Sequence, residues 1–193
     1  MPTDEKLSQG LDAILDFLKI AERLKSTIRS AHTATGRQES VAEHTWRLCL
    51  MGALLHPYYP ELDLSRLLKI LLIHDMGEII NGDIPAIYQD PNQDKTSEER
   101  MDFLQVLSPL PERQQEELLL LWDEYNEVKT PEAKVAKAID KLETLLQHVQ
   151  GDNPKDFDYG FNLDYGAKYT KVDPIITYLR QQLDGWTKER MSS

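Results

Sequence analysis

Two histidines and an adjacent acid are the residues whose types and spacing best suit chemistry in this chain. His44 stands in line with Leu48, Met51 and Leu55, at offsets of four, seven and eleven, so on a helix it projects from an apolar face. His74 lines up in the same way with Leu67 and Leu71, with Asp75 beside it and Glu78 one turn further along the same face. Taken singly, each histidine reads as a core residue with a hydrogen-bond partner. Asp75 resists that reading. It falls at the end of the most apolar helix in the sequence, where an ionised carboxylate is costly unless a cation accompanies it. A divalent transition metal held by neutral imidazoles and an ionised carboxylate removes the cost. Asp140, in Ala138-Ile139-Asp140-Lys141-Leu142, is a candidate further ligand. By periodicity it points away from the stripe of Val135, Ile139 and Leu142, and alone it is a solvent-exposed helix residue. As a ligand it demands a helix buried on two faces.

A cationic island is the second feature. Arg23, Lys25, Arg29 and Arg37 lie between Arg23 and Gln38 with no Asp or Glu among them, in a chain whose net charge is -11. By itself the island reads as a solvated basic loop, with a small-anion site as the alternative. His32 falls in that loop as an exposed residue, His56 precedes Pro57 at a helix end, and His148 lies off the apolar stripe of its helix. Cys49 has no basic partner in its helix and reads as a small core residue.

The elements that position these residues are helical. Leu11, Ile14, Leu15, Leu18 and Leu24 predict an amphipathic helix over about 5–25. Ser40-Val41-Ala42-Glu43 is a capping box that starts a helix running to His56. Asp63 caps a third, from Leu64 to about Met76, apolar almost all round and therefore central. After the Asn81-Gly82-Asp83 turn, Thr96-Ser97-Glu98-Glu99 is a second capping box for a helix ending near Pro109, and Pro111 opens the next. Thr130-Pro131 begins a helix that Gly151 ends. Residues 152–170 form a loop rich in Asp, Asn, Gly and aromatics, and Asp173-Pro174 starts a last helix to Trp186. No alternating run is long enough for a strand, so the fold class is all-α, a compact helical bundle with a central buried helix.

Composition bounds the rest. The 193 residues suit a single domain with a sizeable core, and 40% hydrophobic with 28% charged residues is the balance of a soluble globular protein. The negative charge disfavours nucleic acid and anionic membrane surfaces as partners. No apolar run approaches the roughly 20 residues of a membrane span, there is no secretory signal, and a lone cysteine makes no internal disulfide, which together predict a reducing cytoplasm.

The ordered set of a His, a His-Asp pair and a later Asp resembles the HD-domain metal-dependent phosphohydrolases. Gln38 to His44, and His74-Asp75-Met76-Gly77-Glu78 through Gly82-Asp83-Ile84-Pro85, look like the 5′-deoxynucleotidase branch over about residues 10–150, with a C-terminal loop and helix over 151–193. The resemblance implies that His44, His74, Asp75 and Asp140 hold one divalent ion (Co, Mn, Zn, Mg, Ni or Fe). It makes Glu78 the catalytic carboxylate, Asp83 the acid of the Gly-Asp-apolar-Pro turn that contacts sugar or water, and Arg29 the phosphate contact. It also implies a small nucleotide substrate, hydrolysis of (deoxy)nucleoside 5′-monophosphates and a homodimer; the aromatics around Phe157 to Tyr169, read as exposed, are a candidate contribution to that contact. Ser30 stands where bacterial members carry a tryptophan after the arginine, which predicts weaker discrimination against a 2′-hydroxyl. The alternatives are another HD phosphohydrolase, acting on a cyclic nucleotide or a triphosphate, a nucleotide-binding protein without turnover, and a helical scaffold.

Overall fold

Eight α-helices and one short hairpin make up the described residues, 4–85, 94–171 and 173–192, of the computed structural model. The chain runs α1 (Asp4–Ala21), β1 (Ile28–His32), β2 (Gln38–Ser40), α2 (Val41–Leu55), α3 (Leu64–Ile73), α4 (Glu78–Asn81), α5 (Lys95–Leu107), α6 (Glu112–Glu127), α7 (Pro131–Gln150) and α8 (Pro174–Met191). The capping box of α2 forms as its sequence dictates: Ser40 Oγ accepts from Glu43 N, while Glu43 Oε2 accepts from Ser40 N at 2.9 Å. Asp63 caps α3, and Thr130 with Pro131 starts α7.

The bundle is organised around α7, in which residues such as Ala136, Ala138, Ile139, Leu142 and Leu145 are wholly buried. This differs from the expectation for α3, whose Arg66, Lys69 and Leu72 face solvent while Leu67, Ile70, Leu71 and Ile73 face inward. α7 buries residues all round its axis because α2 and α3, α6, α8 and the hairpin cover it from different sides. That satisfies the two-face burial demanded of Asp140, which is 4% exposed rather than solvent-facing.

Other expectations are corrected. The basic stretch is not a plain loop, since β1 and β2 pair antiparallel with Ile28 opposite Ser40 and His32 opposite Gln38. Strands of five and three residues are too short for alternation to register, and β1 is supported by a helix, not by a larger sheet. Gly151 permits that support: a Cβ there would lie 2.3 Å from the His32 carbonyl oxygen. In α1 the expected stripe is split. Ile14, Phe17 and Ile20 pack against the core, whereas Leu7, Leu11, Leu15 and Leu18 are all more than half exposed, because the helix is apolar on two sides. The cap of α5 is Asp94, accepting from Ser97 N at 3.1 Å, in place of the Thr96 capping box. α3 also stops sooner, at Ile73, and Glu78 opens α4 instead of continuing the same helix.

Candidate metal centre and its cavity

His44 leaves α2, His74 and Asp75 follow the end of α3, and Asp140 comes from the middle of α7. Three segments distant in sequence thus bring four side chains to one point. The His44 Nδ1 bonds to the Glu143 carboxylate, and the His74 Nδ1 donates to the Leu71 carbonyl at 2.8 Å. In the neutral imidazole a proton on each Nδ1 leaves Nε2 as the atom with the lone pair. Both Nε2 atoms are buried and have no hydrogen-bond partner among the described residues. They face carboxylate oxygens: His44 Nε2 is 3.3 Å from Asp140 Oδ1 and 3.7 Å from Asp75 Oδ2, and His74 Nε2 is 3.0 Å from Asp75 Oδ2 and 3.9 Å from Asp140 Oδ1. Two imidazole nitrogens and two carboxylates form a donor set that suits a divalent transition metal, and His44, His74 and Asp75 satisfy the spacing for one ion. A second grouping, Glu39, His44 and Glu143, already has its charge balanced by Arg29 and Arg47.

The electrostatics agree. Burial pushes the Asp75 and Asp140 carboxyls up, but the two histidines, with Lys141 for Asp140, hold both below the usual carboxylate range. Burial and Arg29 oppose a positive charge on His44, yet Glu143 and Asp140 pull its imidazole up to about 9. The site thus stabilises positive charge, a proton on His44 in the metal-free protein that a bound metal ion would displace.

Asp75, at 16% side-chain exposure, opens the cluster onto a cavity of about 480 Å³. Arg29, Glu78 and Asp83 line the same cavity, so the structure brings together every site residue named from the sequence, with His44 behind the lining. Arg29 reaches in from β1, where Thr144 Oγ1 (3.2 Å), Glu39 Oε2 (3.4 Å) and Asp75 Oδ2 (3.5 Å) surround its guanidinium. Burial opposes that charge, and Asp75, Asp83, Glu143 and Glu78 outweigh burial. Glu78 has Oε2 buried without a hydrogen-bond partner among the described residues, and burial, reinforced by Asp75 and Asp83, pushes its carboxyl well above the ordinary range. Asp83 is raised by burial and Asp75 against the pull of Arg29. Gly77 precedes Glu78 for a steric reason: a Cβ there would lie 2.7 Å from the Glu99 carbonyl oxygen of α5.

Several residues escaped the sequence reading. Glu143, fully buried, holds His44 and receives Arg47 Nε at 2.6 Å. Tyr125 donates to Asp140 Oδ2 at 2.6 Å and sets its ring against His74 with centroids 4.9 Å apart. Asp140, Glu143, Thr144 and Gln147 recur at three- and four-residue spacing, a polar stripe that was the available signal for Glu143. His148 is buried against Asn162 (2.8 Å) and lines the cavity, and His32 lines it too, from the end of β1. The aromatics between Phe157 and Tyr169 are half-buried, several of them against this cavity, so they do not form the exposed patch expected of them. Burial pushes the Cys49 thiol up to about 11, in keeping with a core role.

Comparison with known proteins agrees with this geometry. The HD domain family, HD_3, matches residues 21–180. The human 5′-deoxynucleotidase HDDC2 is 33% identical over 72% of this chain and 68% of its own length. The Schizosaccharomyces pombe 5′-deoxynucleotidase hdd1 is 37% identical over 70% of each. A crystal structure of a predicted metal-dependent phosphohydrolase from Magnetospirillum magnetotacticum superposes with a TM-score of 0.73 at 27% identity, covering 95% of this chain and 96% of that one. No helix among the described residues is long and apolar enough to cross a membrane. With its helical architecture and the convergence of His44, His74-Asp75 and Asp140, the chain belongs to the HD-domain family.

Proposed function

We propose that His44, His74, Asp75 and Asp140 form the metal centre of a phosphoric monoester hydrolase that releases phosphate from nucleoside 5′-monophosphates, deoxy forms included. The observation that carries this is the pair of buried, unpartnered Nε2 atoms aimed at two carboxylates on the wall of a cavity shared with Arg29. A divalent ion held by these four residues would supply Lewis-acid polarisation of a phosphoryl oxygen and make water more acidic, towards a pKa of about 7. Arg29, already desolvated and held by Thr144 and Glu39, offers a planar fork to the phosphate and needs little reorganisation to do so. Glu78 holds and releases the proton passing between attacking water and leaving 5′-oxygen, a task for a carboxyl raised by burial. Asp83, on the same cavity lining as Arg29, bonds the sugar hydroxyl or orients water. The 5′-deoxynucleotidase activity of the named relatives supports the substrate class.

A phosphate-release screen over ribo- and deoxynucleoside mono-, di- and triphosphates and cyclic nucleotides, with several divalent ions, tests the reading. Release from monophosphates alone is expected; release only from triphosphates or cyclic nucleotides moves the chain to another HD phosphohydrolase class. Asp75→Ala should lose metal and activity together, and full metal content in that variant refutes the ligand assignment. Glu78→Gln should lower kcat by roughly 10² to 10⁴ with metal retained. The expected partner is a second copy of the chain, supported by the exposed leucines of α1. A monomer in gel filtration with light scattering would remove it.

A further inference from the structure

The cavity has a second wall that the metal chemistry does not use. Pro154, Asp156, Phe157, Asp158, Phe161 and Tyr165 line it, and none of the six carries a positive charge. Phe157 and Phe161 stand outside the apolar core cluster, so core packing does not account for them. Polar anchors hold them instead. Arg180, 3% exposed, donates to the carbonyls of Asn162 (2.9 Å), Leu163 (2.6 Å) and Tyr165 (2.7 Å). Asp158 caps the turn by accepting from Gly160 N and Phe161 N, and Phe157 meets the buried His148 edge-on, with ring centroids 4.9 Å apart. The wall is therefore fixed before any ligand arrives, and its rings are apolar surface facing a cavity, a cost that a planar ligand would offset.

We infer that this wall, with Phe157 and Phe161 as its ring faces, is where the substrate's nucleobase stacks. The inference rests on the phosphatase reading above and extends it. Charge sets the direction of the ligand: Arg29 attracts phosphate, Asp156 and Asp158 on the wall repel it, and Lys141, which pairs with Asp140 and donates to Tyr165 Oη at 3.1 Å, lies at the border of the two. A neutral ring is what suits the part of the lining formed by Phe157 and Phe161. Base stacking on aromatic side chains tolerates any base, because every base has a π face, so the wall predicts broad acceptance of bases. About 480 Å³ is within the range for a small-molecule pocket.

The test compares a nucleotide with its base-free counterpart. kcat/KM is measured for dAMP and for 2-deoxyribose 5-phosphate in the unmodified enzyme, in Phe157→Leu and in Phe161→Leu, which keep apolar bulk and remove the ring. The unmodified enzyme should prefer dAMP. Each variant should raise KM for dAMP by about tenfold or more, keep kcat, and leave 2-deoxyribose 5-phosphate unchanged; Phe161→Tyr should retain the preference. Equal kinetics for the two substrates in the unmodified enzyme, or parallel losses on both in the leucine variants, overturns the wall while leaving the phosphatase reading intact. If the unmodified protein hydrolyses neither compound, the phosphatase reading fails, and calorimetric binding of dAMP then decides for the wall. Weakening of that binding in Phe161→Leu supports it, and unchanged binding overturns it.

Discussion

Glu143→Gln separates a residue that tunes the metal centre from one that only fills space beside it. In the structure one Glu143 oxygen receives Arg47 at 2.6 Å and the other holds the His44 Nδ1, with the carboxylate fully buried. An amide has only one acceptor oxygen. If that oxygen stays with Arg47, its NH₂ faces the His44 Nδ1, which must then accept, so the imidazole proton moves to Nε2, the atom aimed at the ion. If the oxygen turns to His44, the NH₂ opposes the guanidinium of Arg47. The first outcome is favoured, because Arg47 is a charged donor and the imidazole can change tautomer. Loss of such a supporting carboxylate costs about 10- to 100-fold in metal affinity, or about 1.4 to 2.7 kcal/mol. Stability should fall by less than the 3 to 5 kcal/mol of a fully buried broken pair, since the Arg47 side chain is 24% exposed and can turn to water. Competition with a chelator, read as the Kd for Mn²⁺ or Co²⁺, measures the first quantity, and thermal unfolding of the metal-free protein the second. An unchanged metal Kd beside a lowered Tm would refute the tautomer argument and leave Glu143 a purely structural residue.

Three other perturbations bear on other parts of the molecule. Arg29→Lys keeps the charge but not the planar fork, so kcat/KM should fall by at least tenfold, about 1.4 kcal/mol; an unchanged value would assign the phosphate to another cation. Ser30→Trp should raise the deoxy-to-ribo ratio of kcat/KM by adding bulk where Ser30 lines the cavity beside Arg29, and a constant ratio would move sugar choice towards Asp83. Glu43 shows a pH effect away from the site. Its hydrogen bond from Arg37, with those from Ser40, lowers its carboxyl from 4.5 to about 2. A carboxyl depressed by folding stabilises the protein above its unfolded value and ceases to do so as pH falls through its folded one. The Tm advantage over Glu43→Gln should therefore be full above pH 4.5 and vanish towards pH 2, and a gap that stays constant across that range would show that the charge contributes nothing.

Much of this was legible in the residues because it is local. The capping box of Ser40 and Glu43, the Asp63 cap and the Thr130-Pro131 start depend only on neighbours in sequence, and they set the ends of α2, α3 and α7, on or next to which the metal-ligating residues sit. The ordering of His44, His74-Asp75 and Asp140 was visible for the same reason. What local pattern could not supply was partnership. Leu7, Leu11, Leu15 and Leu18 satisfy the helical period as well as Ile14 and Phe17 do, and periodicity does not say which of two apolar sides meets the core. Nor does it reveal β1. A five-residue strand carrying Arg29 gains its support from Thr144 and Gln147, more than a hundred positions away, with Gly151 giving it room.

Asp140 shows why that limit falls on the functional side of the molecule. Apolar periodicity locates the side of a helix that water avoids, and by that measure Asp140, Glu143, Thr144 and Gln147 look exposed. Here they are buried because they face polar partners in place of water: His44 and Tyr125 for Asp140, His44 and Arg47 for Glu143, Arg29 for Thr144 and the His32 carbonyl for Gln147. Each pairing offsets a desolvation cost that would exclude such a residue from a core. The helix that carries the site is thus one whose second face is satisfied by hydrogen bonds and charge. Such a face appears in a sequence as polar residues repeating at helical spacing on a helix that also carries a full apolar stripe, the pattern that residues 135–149 display.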